Sequence, residues 1–315
     1  MRNYVLRRLL LMIPTLFGVT ILVFAMVRFL PGDTLTQMLG EYRVSIKTSQ
    51  DLRHKMGLDR PAYQQYFSFL GDVADGSLGK SLRSDRSVLF DLRQRLPATF
   101  ELGILAILFS LAIAIPIGVL SALWQDTWVD YGARSFAILA LSAPSFWIAI
   151  LVITFPAIWW HWSPPVGYRH IWQDPAKNLQ IMLLPAVILG LVTNGTVMRL
   201  TRAQMLEVLR QDYVRTARAK GLRGSTVIVR HAMKNALNPV ITIVGLQIPI
   251  LIGGSVVMES IFSIPGMGTY LIQAIQGRDY PIVQGVNLLV ATVVIVANLA
   301  VDVSYGFLDP RVKYA

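Results

Sequence analysis

The stretch Glu207–Val240, EVLRQDYVRTARAKGLRGSTVIVRHAMKNALNPV, is a basic and mostly polar interruption between two long apolar segments. From Arg202 to Lys234 the chain carries eight Lys and Arg residues against two acidic ones. Charge of this size is costly inside a lipid core. The stretch is therefore predicted to lie in water or at the lipid headgroups, and the rest of the chain to form a membrane scaffold that holds it there.

Within this stretch the residue spacing predicts two short helices joined by a glycine. Gly221 stands at the end of the first helix, where a left-handed conformation favours a residue without Cβ. Ser225 is placed to cap a second helix that runs to about Leu237. On the first helix, residues at four-residue spacing share one face: Met205, Leu209, Tyr213 and Ala217.

The segments DYVRTARAKGL and RHAMKNALNPV resemble the cytoplasmic loop of ABC importer permeases of the dipeptide/oligopeptide/nickel type, in particular the B-type permease subunit. In that family the first helix of the loop is a coupling helix, which docks into a groove of a cytoplasmic ATPase and passes its motion to the membrane helices. Here the coupling loop is expected at 201–236, with the ATPase contact within 207–224. The resemblance implies the coupling role for Asp212, Tyr213, Arg215, Thr216, Ala217, Arg218, Ala219, Lys220 and Gly221.

The coupling loop departs from the general importer pattern. The wider superfamily has a Glu-Ala-Ala box with a Gly six residues after the Glu. Here Arg215, Thr216 and Ala217 stand in the box, so that the second Ala and Gly221 alone remain, and Pro239 lies further downstream. These departures match the peptide/nickel branch. The alternative reading of the basic loop is a topology signal or a patch for anionic lipid, but the full sequence pattern favours coupling.

The composition is that of an integral membrane protein. Of 315 residues, 54% are hydrophobic and 15% are charged, whereas soluble domains average about 25% charged residues. The net charge of +11 does not indicate nucleic-acid binding, because the positive residues concentrate beside apolar spans. The chain has no Cys, which excludes disulfides and thiol catalysis.

Six apolar segments predict an all-α integral membrane fold with six transmembrane helices, and the resemblance implies the type I ABC importer permease architecture. A hydrocarbon core of about 30 Å needs about 20 helical residues. The first segment is too long for a signal peptide and lacks a small-residue cleavage site. The predicted spans are Leu9–Leu30, Thr99–Leu123, Tyr131–Trp160, Gln180–Leu200, Leu237–Ile261 and Val283–Val303.

The predicted organisation places an extracytoplasmic domain after the first helix, with helices near Thr48–Met56 and Ala62–Val73. Fifteen Lys and Arg residues in the inner segments oppose three in the short outer loops. By the positive-inside rule both termini are therefore expected in the cytoplasm. The expected parts are an N-terminal helix at 1–30, the extracytoplasmic domain at 31–97, the permease core at 98–308 and a cytoplasmic tail at 309–315.

One segment of the extracytoplasmic domain imitates a nucleotide site. Ala74–Ser81, ADGSLGKS, fits a relaxed phosphate-loop pattern. Such a loop needs a buried strand before it and a helix after it. The preceding Tyr66–Val73 is predicted to be helical, so we expect no nucleotide binding here.

Few polar groups fall within the spans, and none is a carboxylate at mid-membrane, which disfavours an ion-coupled secondary transporter. Asn194 and Gln247 lie deeper and are candidates for the translocation path, although a helix-packing hydrogen bond is the alternative for each. The ionisable groups are expected to snorkel from span ends: Arg28, Glu101, Arg134, Arg199, Glu259 and Asp302.

The segment ESIFSIPGMG after the fifth span resembles a turn of the same permease family, and it is interpreted as an outer gate or a helix-packing element. Proline inside spans removes backbone hydrogen bonds and predicts kinked helices. The turn residues concerned are Glu259, Pro265, Gly266 and Gly268. The prolines are Pro14, Pro116, Pro144, Pro156, Pro185 and Pro249.

No catalytic set is recognisable. The four His residues are scattered, and neither a metalloprotease nor a serine-hydrolase motif occurs. The chain is therefore expected to be a non-catalytic subunit that binds no cofactor or metal, with ATP and Mg on partner ATPases.

The resemblance implies a permease subunit that forms half of the translocation path for di- or oligopeptides in a bacterial cytoplasmic (inner or plasma) membrane. The expected partners are a second homologous permease, two cytoplasmic ABC ATPases, an extracytoplasmic solute-binding protein and the lipid bilayer. Nickel chelates, glutathione and oligosaccharides are alternative solutes. An ATP-independent secondary transporter is the alternative from a different class.

Overall fold

The computed structural model describes residues 2–29, 50–51, 53–54 and 57–308, and the regular structure in these ranges is almost entirely helical. The helix predicted near Thr48–Met56 falls largely outside them, and so does the predicted tail at 309–315. In chain order the helices are α1 Arg2–Phe29, α2 Ala62–Ala74, α3 Val88–Leu123, α4 Trp128–Ser142, α5 Ser145–Trp160, α6 Pro175–Leu209, α7 Asp212–Ala219, α8 Gly224–Leu246, α9 Ile248–Ile261, α10 Met267–Gly277 and α11 Tyr280–Leu308.

Among the described residues, four helices are long and apolar enough to cross a membrane: α1, α3, α6 and α11. The number rises to six if two bent helix pairs each count as one span. The third and fifth predicted spans are these pairs, with bends of 95° between α4 and α5 and 49° between α8 and α9. Kinks at proline were predicted for both spans, and each span is broken into two helices at its bend. The bends lie beside Pro144 and Pro249, which cannot donate a backbone hydrogen bond.

The described residues divide into two compact units. Unit 1 comprises those of Met1–Thr99 and of Pro265–Leu299, and unit 2 comprises those of Phe100–Ile264 and of Ala300–Lys313. The core of unit 1 contains residues from α1, α3, α10 and α11, including the fully buried Val88 and Val283. Segments far apart in the chain therefore share one core.

In unit 1 the buried carboxylate of Asp279 accepts hydrogen bonds from the end of the segment with a phosphate-loop pattern, 74–81, and from the residue after it. As expected, a helix, α2, precedes Ala74–Ser81. The hydroxyl of Ser81 donates to Asp279 Oδ2 at 2.5 Å, and the backbone N–H of Leu82 donates to Asp279 Oδ1 at 3.1 Å. The hydroxyl that would ligate Mg²⁺ in a phosphate loop is thus engaged in a structural contact.

In unit 2, α6 approaches α3 and α4 so closely that only glycine fits at the contacts. A Cβ on Gly118 would lie 2.8 Å from the carbonyl oxygen of Met198. A Cβ on Gly195 would lie 2.6 Å from the carbonyl oxygen of Ala137. Small residues of this kind let membrane helices pack backbone against backbone.

Replacing Gly195 with Ala is expected to destabilise unit 2 by about 1–3 kcal/mol, since the added methyl group must push α4 away from α6. Thermal unfolding of the purified protein in detergent measures the loss. The matched control is Gly132→Ala, because a Cβ on Gly132 of α4 meets no atom within 4 Å among the described residues. Equal melting temperatures for the two variants would contradict the close packing.

Candidate functional site

The short helix α7 is held by a small apolar core at the centre of the predicted coupling loop. Val214 and Ala217 are 0% and 7% exposed and pack against Val227 at the start of α8. The last turn of α6 completes this core. As a result α7 is attached both to the end of α6 and to the beginning of α8.

The helical face predicted for this loop differs from the one observed. Met205 is fully buried, but it belongs to α6, and Tyr213 on α7 is 41% exposed. Between them the chain leaves α6 after Leu209 and begins α7 at Asp212. This break resets the helical phase, so that Val214 faces the core in place of Tyr213.

Gly221 has the left-handed conformation predicted for it, with φ at +76°. Its N–H donates to the carbonyl of Arg218 at 2.9 Å, and the N–H of Leu222 donates to the carbonyl of Ala217 at 3.4 Å. These two bonds form the Schellman motif, which satisfies carbonyl groups at a helix end. The prediction of a glycine elbow is confirmed.

The second helix of the loop differs from the prediction at both ends. α8 begins after Arg223 at its N-cap, so that Ser225 lies inside the helix and its predicted capping role is wrong. The helix does not end near Leu237 but continues into the bent fifth span. Its segment Val227–Met233 is π-helical, a rare geometry that is frequent at functional sites.

Most of the predicted coupling residues are exposed to solvent, on α7 or directly after it. The side chains of Asp212 and Arg215 are 94% and 74% exposed and form an ion pair at 3.4 Å. The Tyr213 hydroxyl accepts a hydrogen bond from Asn235 Nδ2 at 2.8 Å, which orients the ring. The exposed set is Asp212, Tyr213, Arg215, Thr216, Arg218, Ala219, Lys220 and Gly221.

A buried carboxylate at the start of α4 collects five hydrogen bonds. Asp130 is 0% exposed and accepts from Arg202 Nε and Nη2 at 2.7 Å each. It also accepts from Arg134 Nη2 at 2.8 Å, the Ser121 hydroxyl at 2.6 Å and the Asp126 backbone N–H at 3.0 Å. We call these five residues the Asp130 cluster. It joins α3, α4 and α6, so Arg202 is not one of the free charges of the basic loop.

The two candidate path residues occupy the interior of unit 2. Gln247 lies at the break between α8 and α9, where it lines a cavity of about 10 Å³ with Ser110 and Thr193, enough for roughly one water molecule. Asn194 is fully buried, and neither polar atom of its side-chain amide has a partner among the described residues. Their role in translocation stays a prediction.

The predicted outer turn contains residues of both units. Glu259 in unit 2 is 0% exposed, so the expectation that it snorkels to the interface was wrong. In unit 1, Gly266 is the N-cap residue of α10, and the N–H of Met267 donates to the Thr99 hydroxyl at 2.8 Å. A gating role for this turn stays a prediction.

A polar cluster in the loop between α5 and α6 was not found from the sequence. The Tyr168 hydroxyl donates to Glu101 Oε2 at 2.8 Å and lies 3.3 Å from His170 Nδ1. The His170 ring stacks on Trp172 with ring centres 4.4 Å apart. Burial, followed by the hydrogen bond to Glu101, raises the pKa of Tyr168 well above its usual range. The phenol therefore stays a donor and holds this loop to α3.

Two family models together match most of the chain. The model described as "Binding-protein-dependent transport system inner membrane component" matches residues 114–314, which include α7 and the Asp130 cluster. The chain belongs to this family. A second model, for the N-terminal part of such membrane components, matches residues 1–103. The protein is thus a multi-pass inner-membrane permease subunit of the ABC importer class, and the predicted family is confirmed.

Curated relatives of this permease match it over its whole length. A di/tripeptide transport system permease protein DppB of Pseudomonas aeruginosa (strain UCBPP-PA14) is 41% identical, with 100% of this chain and 99% of the relative covered. The dipeptide transport system permease protein DppB of Escherichia coli (strain K12) is 40% identical at the same coverages. That of Alkalihalophilus pseudofirmus is 39% identical, with 100% of each chain covered.

A solved structure supports the fold of the permease. A chain from the crystal structure of an amino acid ABC transporter with histidines matches with a TM-score of 0.50. The match covers 78% of this chain and 98% of that chain at 14% sequence identity. The predicted all-α membrane permease fold is therefore confirmed.

Proposed function

We propose that this permease forms half of a translocation path for di- or oligopeptides, together with a second homologous permease. The observation that carries the substrate class is the full-length similarity, at 39–41% identity, to permeases named for dipeptide and di/tripeptide transport. Uptake of nickel chelates, glutathione or oligosaccharides is the less favoured alternative. Delivery by an extracytoplasmic solute-binding protein is consistent with the family description.

In this proposal α7 is the coupling helix and docks on one of two cytoplasmic ATPases. Support comes from its exposed side, which combines cations with the oriented ring of Tyr213. The same loop also carries exposed apolar side chains at Leu222 and Val229. An aromatic anchor with neighbouring apolar and basic groups is typical of protein interfaces. Closure of the ATPases on ATP pulls the coupling helix and turns the path outward, and hydrolysis resets it.

The proposed orientation places the coupling loop, 201–236, and both termini in the cytoplasm. The excess of Lys and Arg in the inner segments, fifteen against three, supports it. The exposed Trp159, Trp160 and Trp162 at the end of the third span fit the outer interface. In this orientation the loop held by Tyr168 faces the solute-binding protein.

The permease itself is proposed to hydrolyse nothing and to hold no cofactor, with ATP and Mg²⁺ bound by the partner ATPases. Among the described residues, no group of three or more His, Asp or Glu side chains is arranged to hold a metal ion. In the segment with a phosphate-loop pattern, the Ser81 hydroxyl donates a hydrogen bond to Asp279.

Reconstitution of the assembled transporter tests this proposal. The permease is purified with the subunits that accompany it from its native membrane, placed in proteoliposomes and supplied with the solute-binding protein and a radiolabelled dipeptide. Uptake is expected only with internal ATP, and a proton ionophore leaves it unchanged. Excess unlabelled dipeptide abolishes uptake, whereas nickel chelate, glutathione and oligosaccharide do not. ATP-independent uptake that the ionophore stops, or purification of the permease without ATPases, would contradict the proposal.

A further inference from the structure

The Asp130 cluster lies where the helix that leads into α7 meets two other membrane helices. We propose that Asp130 is a positioning residue for coupling: it fastens α6 to α3 and α4, so that these helices move as one body with α7. The inference rests on the proposed docking of α7 on an ATPase. It assigns to Asp130 a part in transmitting motion to the translocation path.

The contacts of Asp130 come from three helices and from the turn between two of them. Ser121 belongs to α3, Asp126 to the turn between α3 and α4, Arg134 to α4 and Arg202 to α6. Asp126 has φ at +60°, so the carboxylate also fixes an unusual turn conformation through the backbone N–H. One side chain thus forms polar contacts with three helices at once.

The cluster is close to the coupling helix along α6. Arg202 precedes the end of α6 at Leu209 by seven residues, or about 10 Å of helix. α7 follows after a break of two residues and is held to the last turn of α6 by the core around Val214. A displacement of α7 therefore reaches Asp130 through two turns of continuous helix.

Apolar packing holds the end of α6 without fixing its direction. Gly118 and Gly195 bring α6 against α3 and α4, and Met205 near the end of α6 is fully buried in a core with residues of α3, but such contacts are not directional. The bidentate pair between Arg202 and Asp130 resists separation, since two parallel hydrogen bonds at 2.7 Å fix both distance and direction. The apolar contacts and the ion pair together hold α3, α4 and α6 as one rigid body.

The charges of the cluster explain why no neighbour can replace Asp130. Arg202 and Arg134 both face its carboxylate, and the next acidic group, Asp126, lies 3.4 Å from Arg134 with its side chain 64% exposed. Loss of the Asp130 charge leaves two guanidinium groups without their buried partner. Breaking one side of a buried pair is strongly unfavourable, so the end of α6 is expected to move away.

The first test is Asp130→Asn in the complete transporter in proteoliposomes. Peptide uptake is expected to fall at least tenfold while the complex stays assembled and still hydrolyses ATP, so that peptide transported per ATP falls in proportion. Arg202→Lys keeps the positive charge but cannot donate two parallel hydrogen bonds to the carboxylate. For this variant the amount of peptide transported per ATP is expected to be intermediate. The control is Asp85→Asn, which removes an exposed pair with Lys80 at 4.0 Å and leaves the ratio unchanged.

The second test measures rigidity directly, which a purely stabilising role would not alter in the assembled complex. Because the chain has no Cys, spin labels can be placed at Trp128→Cys and Arg210→Cys, both exposed positions. The distance distribution is expected to be narrow and equal with and without ATP in the parent protein, and at least twice as wide with Asp130→Asn. An unchanged distribution, or loss of ATP hydrolysis and assembly in step with uptake, would overturn the inference. A parent complex without ATP-driven uptake would overturn the proposed function instead, and the distance measurement would still decide on Asp130.

Discussion

Replacing Gly221 with Val is expected to lower ATP-driven peptide uptake at least tenfold while the protein stays in the membrane. Gly221 has φ at +76° and donates the N–H that closes the end of α7. A residue with Cβ is disfavoured in this conformation by roughly 1–2 kcal/mol, and a β-branched residue is a clear outlier there. Relief of the strain reorients α7 relative to α8, so the exposed side of α7 no longer meets the ATPase correctly.

The matched control for this substitution is Gly221→Asn at the same position. Asn adds a side chain but tolerates the left-handed conformation. Uptake by the two variants is measured in proteoliposomes at equal amounts of assembled complex. Normal uptake with Gly221→Val, or an equal loss with Gly221→Asn, would refute the role of the left-handed elbow.

The second large effect is expected from Val214→Asp. Val214 of α7 is fully buried against the last turn of α6 and the start of α8. Burial of that side chain contributes about 1.5–3 kcal/mol, and a carboxylate in its place adds the cost of an unpaired buried charge. Since α7 has only 8 residues and helices of that length are unstable alone, the coupling helix should detach and uptake should be lost.

Limited trypsin cleavage in inside-out vesicles measures the detachment, because trypsin cuts the backbone beside the exposed basic residues of α7 once the helix unfolds. Val214→Asp is expected to speed cleavage in the loop at least tenfold. Thr216→Asp is the control for the added charge, since Thr216 is exposed on the same helix, and its cleavage rate should stay near that of the parent protein. Equal cleavage rates for the two variants would contradict the packing of α7 through Val214.

The elbow at Gly221 was predictable because the requirement is local: a helix end and a residue without Cβ suffice to indicate it. Which face of α7 is buried was not predictable from the sequence. Met205, Leu209 and Tyr213 continue the same spacing through the break, and nothing in that spacing reveals that the phase is reset. Ser225 was wrong as a cap because the helix begins at Gly224, two residues earlier than predicted, and Arg223 occupies the N-cap position.

The six spans followed from apolar length and the possibility of kinks from the prolines within them, but the sequence did not indicate which prolines break a helix. Pro156 and Pro185 lie inside helices, whereas the chain breaks beside Pro144 and Pro249. Tertiary packing decides which proline ends a helix. Asp130 was missed because its strongest partner, Arg202, is 72 positions away. The one local signal was Arg134, four residues after an acidic group at the start of an apolar helix.

The discontinuous make-up of unit 1 has a consequence for biosynthesis. Val27 and Leu92 share a core with Ile282 and Val286, so the N-terminal part cannot complete its packing until the last membrane segment has emerged from the ribosome. At 5–20 residues per second the interval between Leu92 and Val286 lasts roughly 10–40 s. During that time the face of the first span that later packs in the core is covered by lipid or by an insertion factor. Truncation before α10 should therefore leave the N-terminal part exposed to membrane proteases.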